Sequence, residues 1–326
     1  MDEREVRRQE EAGERIPRSV TDALRAHPRF AEAARRAARA SAELYRTDAL
    51  MFRALRDTSR WVCAVWALYL DATEGGLTHA RLRDLCVEAN LLSPGTAYAV
   101  LIQLRVIGYV ELLPYAIDDA RMRAYRPTAR MMEAFRRRMR QDVEGAAMLD
   151  PSVAAALDRW DEPRVFQALV RRLGEGIRAS ARVHDAERPS LHLFARRTAG
   201  MPALYNLLSQ AAPDDDFPPR RPIAINLADL SRRCSVSRTH MLRLLRDVEA
   251  TGFLEPGPRP GEAVMTDFMR EEVETFYALY FAGLIISARE AVGWDAAPAA
   301  DAPPWDAWMR DFSRRETPRL VRLRSA

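Results

Sequence analysis

A chain of 326 residues, 48% hydrophobic and 29% charged, has the makeup of a soluble globular protein large enough for two cores or one large one. Its net charge of +4 and pI of about 9.2 lean basic, and all 50 basic residues are Arg, which fits the coding bias of a GC-rich genome. The charged opening Met1-Asp-Glu-Arg-Glu5 excludes a signal peptide, and the longest apolar run, Phe276 to Ala288, falls short of the roughly 20 residues that span a bilayer.

Along the chain, residues 1–45 read as a charged N-terminal helical segment, frayed to about residue 17 and strongly helix-forming from Ser19 to Tyr45. A first compact domain is expected over 46–145. Residues 146–189 form a helical linker with one clear helix from Pro163 to about Ala179, Pro standing where its missing N–H costs nothing. A second domain follows over 190–290. The Pro- and Ala-rich tail, 291–326, carries Trp294, Trp305 and Trp308, so part of it is expected to dock.

Comparison of the chain with itself shows a repeat. Leu77 to Cys86 lies over Ile225 to Cys234, so that Leu82 and Cys86 meet Leu230 and Cys234. Four extra residues within Val87–Leu92 then shift the alignment, after which Ser93 meets Ser237 and Val100-Leu101 meets Leu244-Leu245. Gly108-Tyr-Val-Glu111 meets Gly252-Phe-Leu-Glu255, and Thr128 and Thr266 each open a following helix.

Each copy has one grammar. A short extended segment (Leu77; Ile225-Asn226) leads to a helix with apolar residues three and four apart, Leu82, Leu85 and Cys86 or Leu227, Leu230 and Cys234. After a turn, Ser93 or Ser237 stands as N-cap, with Pro94 at the first helical position of the first copy. That second helix turns Val100, Leu101 and Leu104, or Met241, Leu244, Leu245 and Val248, inward and ends at Gly108 or Gly252, suited to a left-handed residue. A strand and a turn-rich hairpin follow, Pro114 to Arg121 or Pro256 to Gly261, returning as Met122–Tyr125 or Ala263–Met265. Helix, turn, helix and two-stranded wing make a winged helix-turn-helix. The predicted fold is therefore mainly α with small β-wings, two winged helix-turn-helix domains joined and flanked by helices.

The run Ser235 to Glu255, opening Ser237-Arg-Thr-His240 and closing Gly252-Phe-Leu-Glu255, resembles the recognition helix and first wing strand of bacterial winged-helix regulators, the MarR-like group especially. Tyr125-Arg-Pro-Thr128 is similar to the entry of that group's helix after the wing. The resemblance implies DNA binding through the second helix. Members of that group carry one unit and dimerise; this chain carries two, so one chain can imitate the dimer.

A recognition helix presents its N-terminal residues to base edges while phosphate contacts set its register. In the second copy the expected contacts are Ser237, Arg238, Thr239, His240, Arg243 and Arg246, with Arg259 at the wing tip. Arg238 suits bidentate guanine reading, and Arg243 and Arg246 suit phosphates. The alternative for these arginines is a solvated face near Asp247 and Glu249. In the first copy the corresponding helix face is uncharged; Ser93, Thr96, Tyr98, Arg121 and Arg123 are its candidates, with Arg126 and Arg130 nearby. Base reading there and a packing or protein-binding role stay open together. Arg136 to Arg140 is either a solvated face or a nucleic-acid patch, and Met131, Met132, Phe135 and Phe276–Ala288 read as core or subunit interface.

No catalytic pattern emerges, so an enzyme is not expected, nor a cofactor. Cys63, Cys86, Cys234 and the five His residues lack ligand spacing, His184-Asp185 reads as solvated, and Asp214-Asp-Asp216 reads as an acidic loop. Trp61, Trp66 and Tyr69 read as core, the alternative being a pocket for an aromatic effector. The expected function is a sequence-specific transcriptional regulator, cytoplasmic and nucleoid-associated. Its partner is double-stranded DNA, with homodimerisation open and no membrane. A plasmid-type replication initiator and a protein-binding winged-helix scaffold are the alternatives.

Overall fold

The computed structural model describes residues 16–47, 49–113, 123–181, 189–212, 214–293 and 303–310. The helix-forming N-terminal stretch is divided at His27-Pro28 into α1, Arg18–Arg25, and α2, Phe30–Thr47. Proline removes a backbone donor and pushes the preceding residue away from the helical region, so one helix cannot run through. Then come α3, Ala49–Ala54, and α4, Thr58–Asp71, capped by the Asp57 carboxylate, which accepts from the Arg60 N–H. The chain continues as β1, Leu77–Thr78; α5, His79–Glu88; α6, Pro94–Val106; β2, Val110–Leu112; β3, Ala124–Pro127; and α7, Ala129–Ala147. A 3-10 turn, Pro151–Val153, leads to α8, Ala154–Asp158, and α9, Pro163–Ala181. With α9 the second half begins, and it continues with α10, Pro189–Arg196; α11, Gly200–Leu208; β4, Ile223–Ala224; α12, Leu227–Arg233; α13, Arg238–Ala250; β5, Leu254–Pro256; β6, Glu262–Met265; and α14, Asp267–Ala291. The protein is mainly helical, with two small antiparallel sheets.

Those sheets have one topology. Strand order is β1-β3-β2 in the first and β4-β6-β5 in the second, all antiparallel, with Leu77 opposite Tyr125 and Ile223 opposite Ala263. Three pairs of side-chain caps recur at matching places: Thr78 and Asn226, Ser93 and Ser237, Thr128 and Thr266. Each accepts an N–H that the first helical turn cannot pair internally. Thr128 and Thr266 also each donate their hydroxyl, at 3.2 Å, to the carbonyl of the residue after the helix-ending glycine, Tyr109 or Phe253. Gly108 and Gly252 have φ of 74° and 73°, the left-handed region expected of them. Two strand expectations shift. The extended segment of the second copy is Ile223–Ala224, because Asn226 serves as the cap of α12, its side chain accepting from the Asp229 N–H. The return strand of the first copy extends to Pro127, set by pairing with β2, and the hairpin from Pro114 to Met122, Arg121 included, lies outside the described residues. The extra residues of the first copy divide between helix and turn: α5 has ten residues against seven in α12, and one more separates left-handed Asn90 from Ser93 than Ser235 from Ser237.

The flanking helices bury their apolar faces reciprocally. Helix α2 packs on α7 of its own half and on α11 of the other; α9 packs on α14 of its own half and on α4 of the other. Helices α7 and α14 meet each other, and α1 lies along α14. A single contiguous hydrophobic cluster therefore runs from Val20 to Met309, with Trp66, Phe135, Phe166, Phe194 and Phe281 fully buried. Residues 146–189, expected as a linker, supply α9 to that core. Close approach of α9 to α4 depends on Gly174, where a Cβ would lie 2.5 Å from the Tyr69 ring. The Trp66 indole donates to the Gly174 carbonyl at 3.2 Å. Trp305 docks as the tail composition predicts: it is 2% exposed and donates to Asp150 at 3.0 Å. Trp294 lies outside the described residues. Among the described residues no helix is long and apolar enough to cross a membrane.

Candidate nucleic-acid interface

Helix α13 is anchored by Met241, Leu244, Leu245 and Val248, all buried. The 3.6-residue period then leaves Arg238, Thr239, Arg243 and Arg246 outward, and all four are exposed. Ser237 spends its hydroxyl on the His240 N–H, 3.1 Å away, which fixes the start of the helix. None of Arg238, Arg243 and Arg246 forms an ion pair or side-chain hydrogen bond within the described residues, while the nearby Asp247 is taken by Arg197 at 2.6 Å. The result is a row of guanidinium groups that no neighbouring carboxylate neutralises. It lies on a helix whose N-terminus adds partial positive charge. His240 is placed differently from these four. It is half-buried, and its Nε2 lies 2.9 Å from the Thr198 carbonyl, so it faces the protein body.

Beside α13 the hairpin from Pro256 to Gly261 is tightened by Gly257 N–H donating to the Glu262 carbonyl and by Gly261 at φ 83°. The Arg259 N–H donates to the Glu262 carboxylate at 3.2 Å, and its guanidinium is exposed at the tip.

The first half differs in chemistry. Ser93 caps α6 through the Thr96 N–H at 3.3 Å and also meets the Thr96 hydroxyl at 2.8 Å. Tyr98 is 45% exposed with its ring edge-on to His79, centroids 4.8 Å apart. Val106 at the helix end is 80% exposed. Of the basic residues near the first hairpin, Arg123 is exposed, Arg126 pairs with Glu111, and Arg130 donates to the Ile107 carbonyl at 2.8 Å while lying over the Tyr109 ring.

Other sequence candidates resolve into structural roles. The run Arg136 to Arg140 is no uniform basic face: Arg136 donates to the Trp160 carbonyl, Arg137 pairs with Glu133, and Arg140 pairs with Glu144. Arg138 points the opposite way, 8% exposed, donating to Ser41 at 2.6 Å and pairing with Asp142. Asp214 and Asp216 pair with Arg221 and Arg220, and the Arg221 guanidinium holds the Asp214 carboxyl below its ordinary range. His184 and Asp185 lie outside the described residues. Trp61 stacks on Phe135 at 4.9 Å, and Trp66 and Tyr69 pack on α9. A cavity of about 110 Å³ lies elsewhere, between α11, β4 and α12, lined by Asn206, Gln210, Asn226 and Arg233. Among the described residues no group of three or more His, Cys, Asp and Glu is arranged to hold a metal ion.

Sequence reasoning misses the inward turn of His240 and the burial of Arg138. Its one available signal for the latter is Asp142 at i+4, a spacing that also suits an exposed pair. No protein family, curated protein or solved structure matches the chain.

Proposed function

We propose that the chain is a transcriptional regulator that binds duplex DNA through two winged helix-turn-helix units folded into one body, α13 being the base-reading helix. The observation that carries this reading is the exposed, unneutralised set Arg238, Thr239, Arg243 and Arg246 on the outer face of a Ser-capped helix, beside a hairpin tipped by Arg259. In this reading α13 enters the major groove from its N-terminal end. Arg238 donates two parallel hydrogen bonds to a guanine edge, and Thr239 meets a base or phosphate. Arg243 and Arg246 neutralise phosphates further along, and Arg259 clamps the backbone or enters the minor groove. The same strand order and matched caps in both halves support a pair of units of common plan. The packing of α7 on α14 gives the chain internally what a dimer would supply between subunits. The two reading faces are unlike, so the target need not be palindromic. The nucleoid, in the cytoplasm, is the place of action this reading gives the protein.

Binding to a selected duplex, titrated over a range of salt concentrations, tests the proposal. Arg238→Ala with Arg243→Ala is expected to lower affinity at least tenfold and to reduce the salt slope by about 0.9 for each phosphate left without its guanidinium. Unchanged affinity and slope would remove α13 from the interface.

A further inference from the structure

We infer that the loop 197–199 is a mechanical coupler that holds the reading helix of the second half in a set orientation relative to the first, and so fixes the spacing of the two half-sites. The inference rests on the DNA-binding reading for its functional consequence; its structural content stands apart from it.

The loop is bonded on both sides. Toward the first half, the Ala199 N–H donates to the Arg56 carbonyl at 2.9 Å. Arg56 directly precedes Asp57, the cap of α4, so the bond lands on the start of that helix. Toward the second half, the Thr198 carbonyl accepts from His240 Nε2 at 2.9 Å, in the first turn of α13. Arg197 reaches Asp247 at 2.6 Å, two turns further along the same helix. His240 and Asp247 are seven residues apart and share one flank of α13, between its buried side and its exposed cations. Met241, Leu244, Leu245 and Val248 already seat α13 in its own half, so what two tethers about 10 Å apart along its axis, at 1.5 Å per residue, set is the angle of that helix against the start of α4.

The loop itself has little freedom to yield. Ala199 is fully buried at φ 59°, a conformation costly for a residue with a Cβ. At Gly200 a Cβ would stand 2.0 Å from the Phe194 carbonyl oxygen, so only glycine fits. The preceding helix, α10, rests on both α4 and α14, and the Leu191 N–H donates to the Glu272 carboxylate at 3.2 Å. His240 is thus a positioning residue. It turns a position that the helix pattern offers to DNA into a tie across the halves.

The test measures orientation without DNA first. Spin labels on cysteines at exposed Val106 on α6 and Glu249 on α13, in a chain whose own Cys63, Cys86 and Cys234 are buried, report the distance distribution between the two helices by pulsed electron resonance. Arg197→Ala with His240→Ala should broaden that distribution. His240→Ala alone should broaden it in part, and His240→Gln, which keeps a donor at similar reach, should recover most of the sharpness. The same proteins are then titrated against duplexes whose two half-sites are spaced one or two base pairs closer or farther. The parent chain should prefer one spacing, and the double variant should lose that preference by about five- to tenfold, the effect expected of removing one half-buried hydrogen bond and one exposed ion pair. An equally sharp distance distribution in the double variant overturns the coupler. If no duplex is bound in a salt-dependent way, the DNA-binding reading fails, while the distance measurement still decides the coupling.

Discussion

Arg138 and Asp142 lie on the buried side of α7, where Arg138 donates to the Ser41 hydroxyl and the Tyr280 hydroxyl donates to the Asp142 carboxylate. Burial pushes the Asp142 carboxyl above its ordinary range, and Arg138 pulls it back; burial likewise lifts the Tyr205 hydroxyl to about 12. Such a pair contributes little net stability, yet removing one member leaves a buried charge uncompensated. Asp142→Ala is therefore expected to cost about 3–5 kcal/mol in urea denaturation, whereas Arg138→Met with Asp142→Leu costs less than that single change. A double variant as damaged as the single one would mean the charges matter as a pair. At the same scale, Cys234 is fully buried and its thiol is pushed up to about 12 by desolvation, and Cys63, hydrogen-bonded to Cys86, is raised well above its ordinary value. Iodoacetamide at neutral pH is expected to leave both unmodified until the chain unfolds. Rapid labelling of Cys234 in the native protein would contradict its place in the core.

At the scale of elements, matched caps and helix-ending glycines make the two halves alike while their outward residues diverge. Ser237 serves both local structure and the proposed interface, and the two roles can be separated. Ser237→Ala removes the cap and should cost about 1 kcal/mol of stability. Ser237→Asp retains a capping oxygen and complements the helix N-terminus, so stability should hold. Its negative charge facing phosphates should nonetheless weaken duplex binding at low salt. Thermal melting and DNA titration on the same samples distinguish these effects; an aspartate variant that binds as well as the parent would place the start of α13 away from the backbone.

In the whole molecule, no half encloses its own core. Helices α2 and α9 each cover a helix of the opposite half, and the C-terminal segment seals the ends of α7 and α14. There Arg289 pairs with Asp150 at 2.7 Å and with Asp306 at 2.8 Å, all three buried, and Trp305 closes over them against His27. One cooperative unfolding transition is expected in calorimetry, since neither half can lose its fold without exposing the other. Trp305→Ala should lower stability by about 3–5 kcal/mol and keep that single transition. Two resolved transitions in the parent chain would show that the halves are energetically separate.

The chain's own spacing determined which residues cap, which turn and which face inward. Ser93 and Ser237 stand before helical periods, Gly108 and Gly252 end them, and Met241, Leu244, Leu245 and Val248 leave the arginines of α13 outside. These features are local, set by backbone sterics and by a period of 3.6 residues, so they are legible without a fold. Tertiary structure alone decided what covers each apolar face. Composition marks α2 as helix and Pro163 marks the start of α9, but neither signal names the partner across the halves, because burial rewards area and shape rather than sequence proximity. For the same reason Arg138 is buried among solvated arginines, Asp150 meets residues 289 and 305, and His240 faces Thr198. The α13 cations were written in the sequence; the orientation in which that helix is held came from a loop that only the folded chain brings beside it.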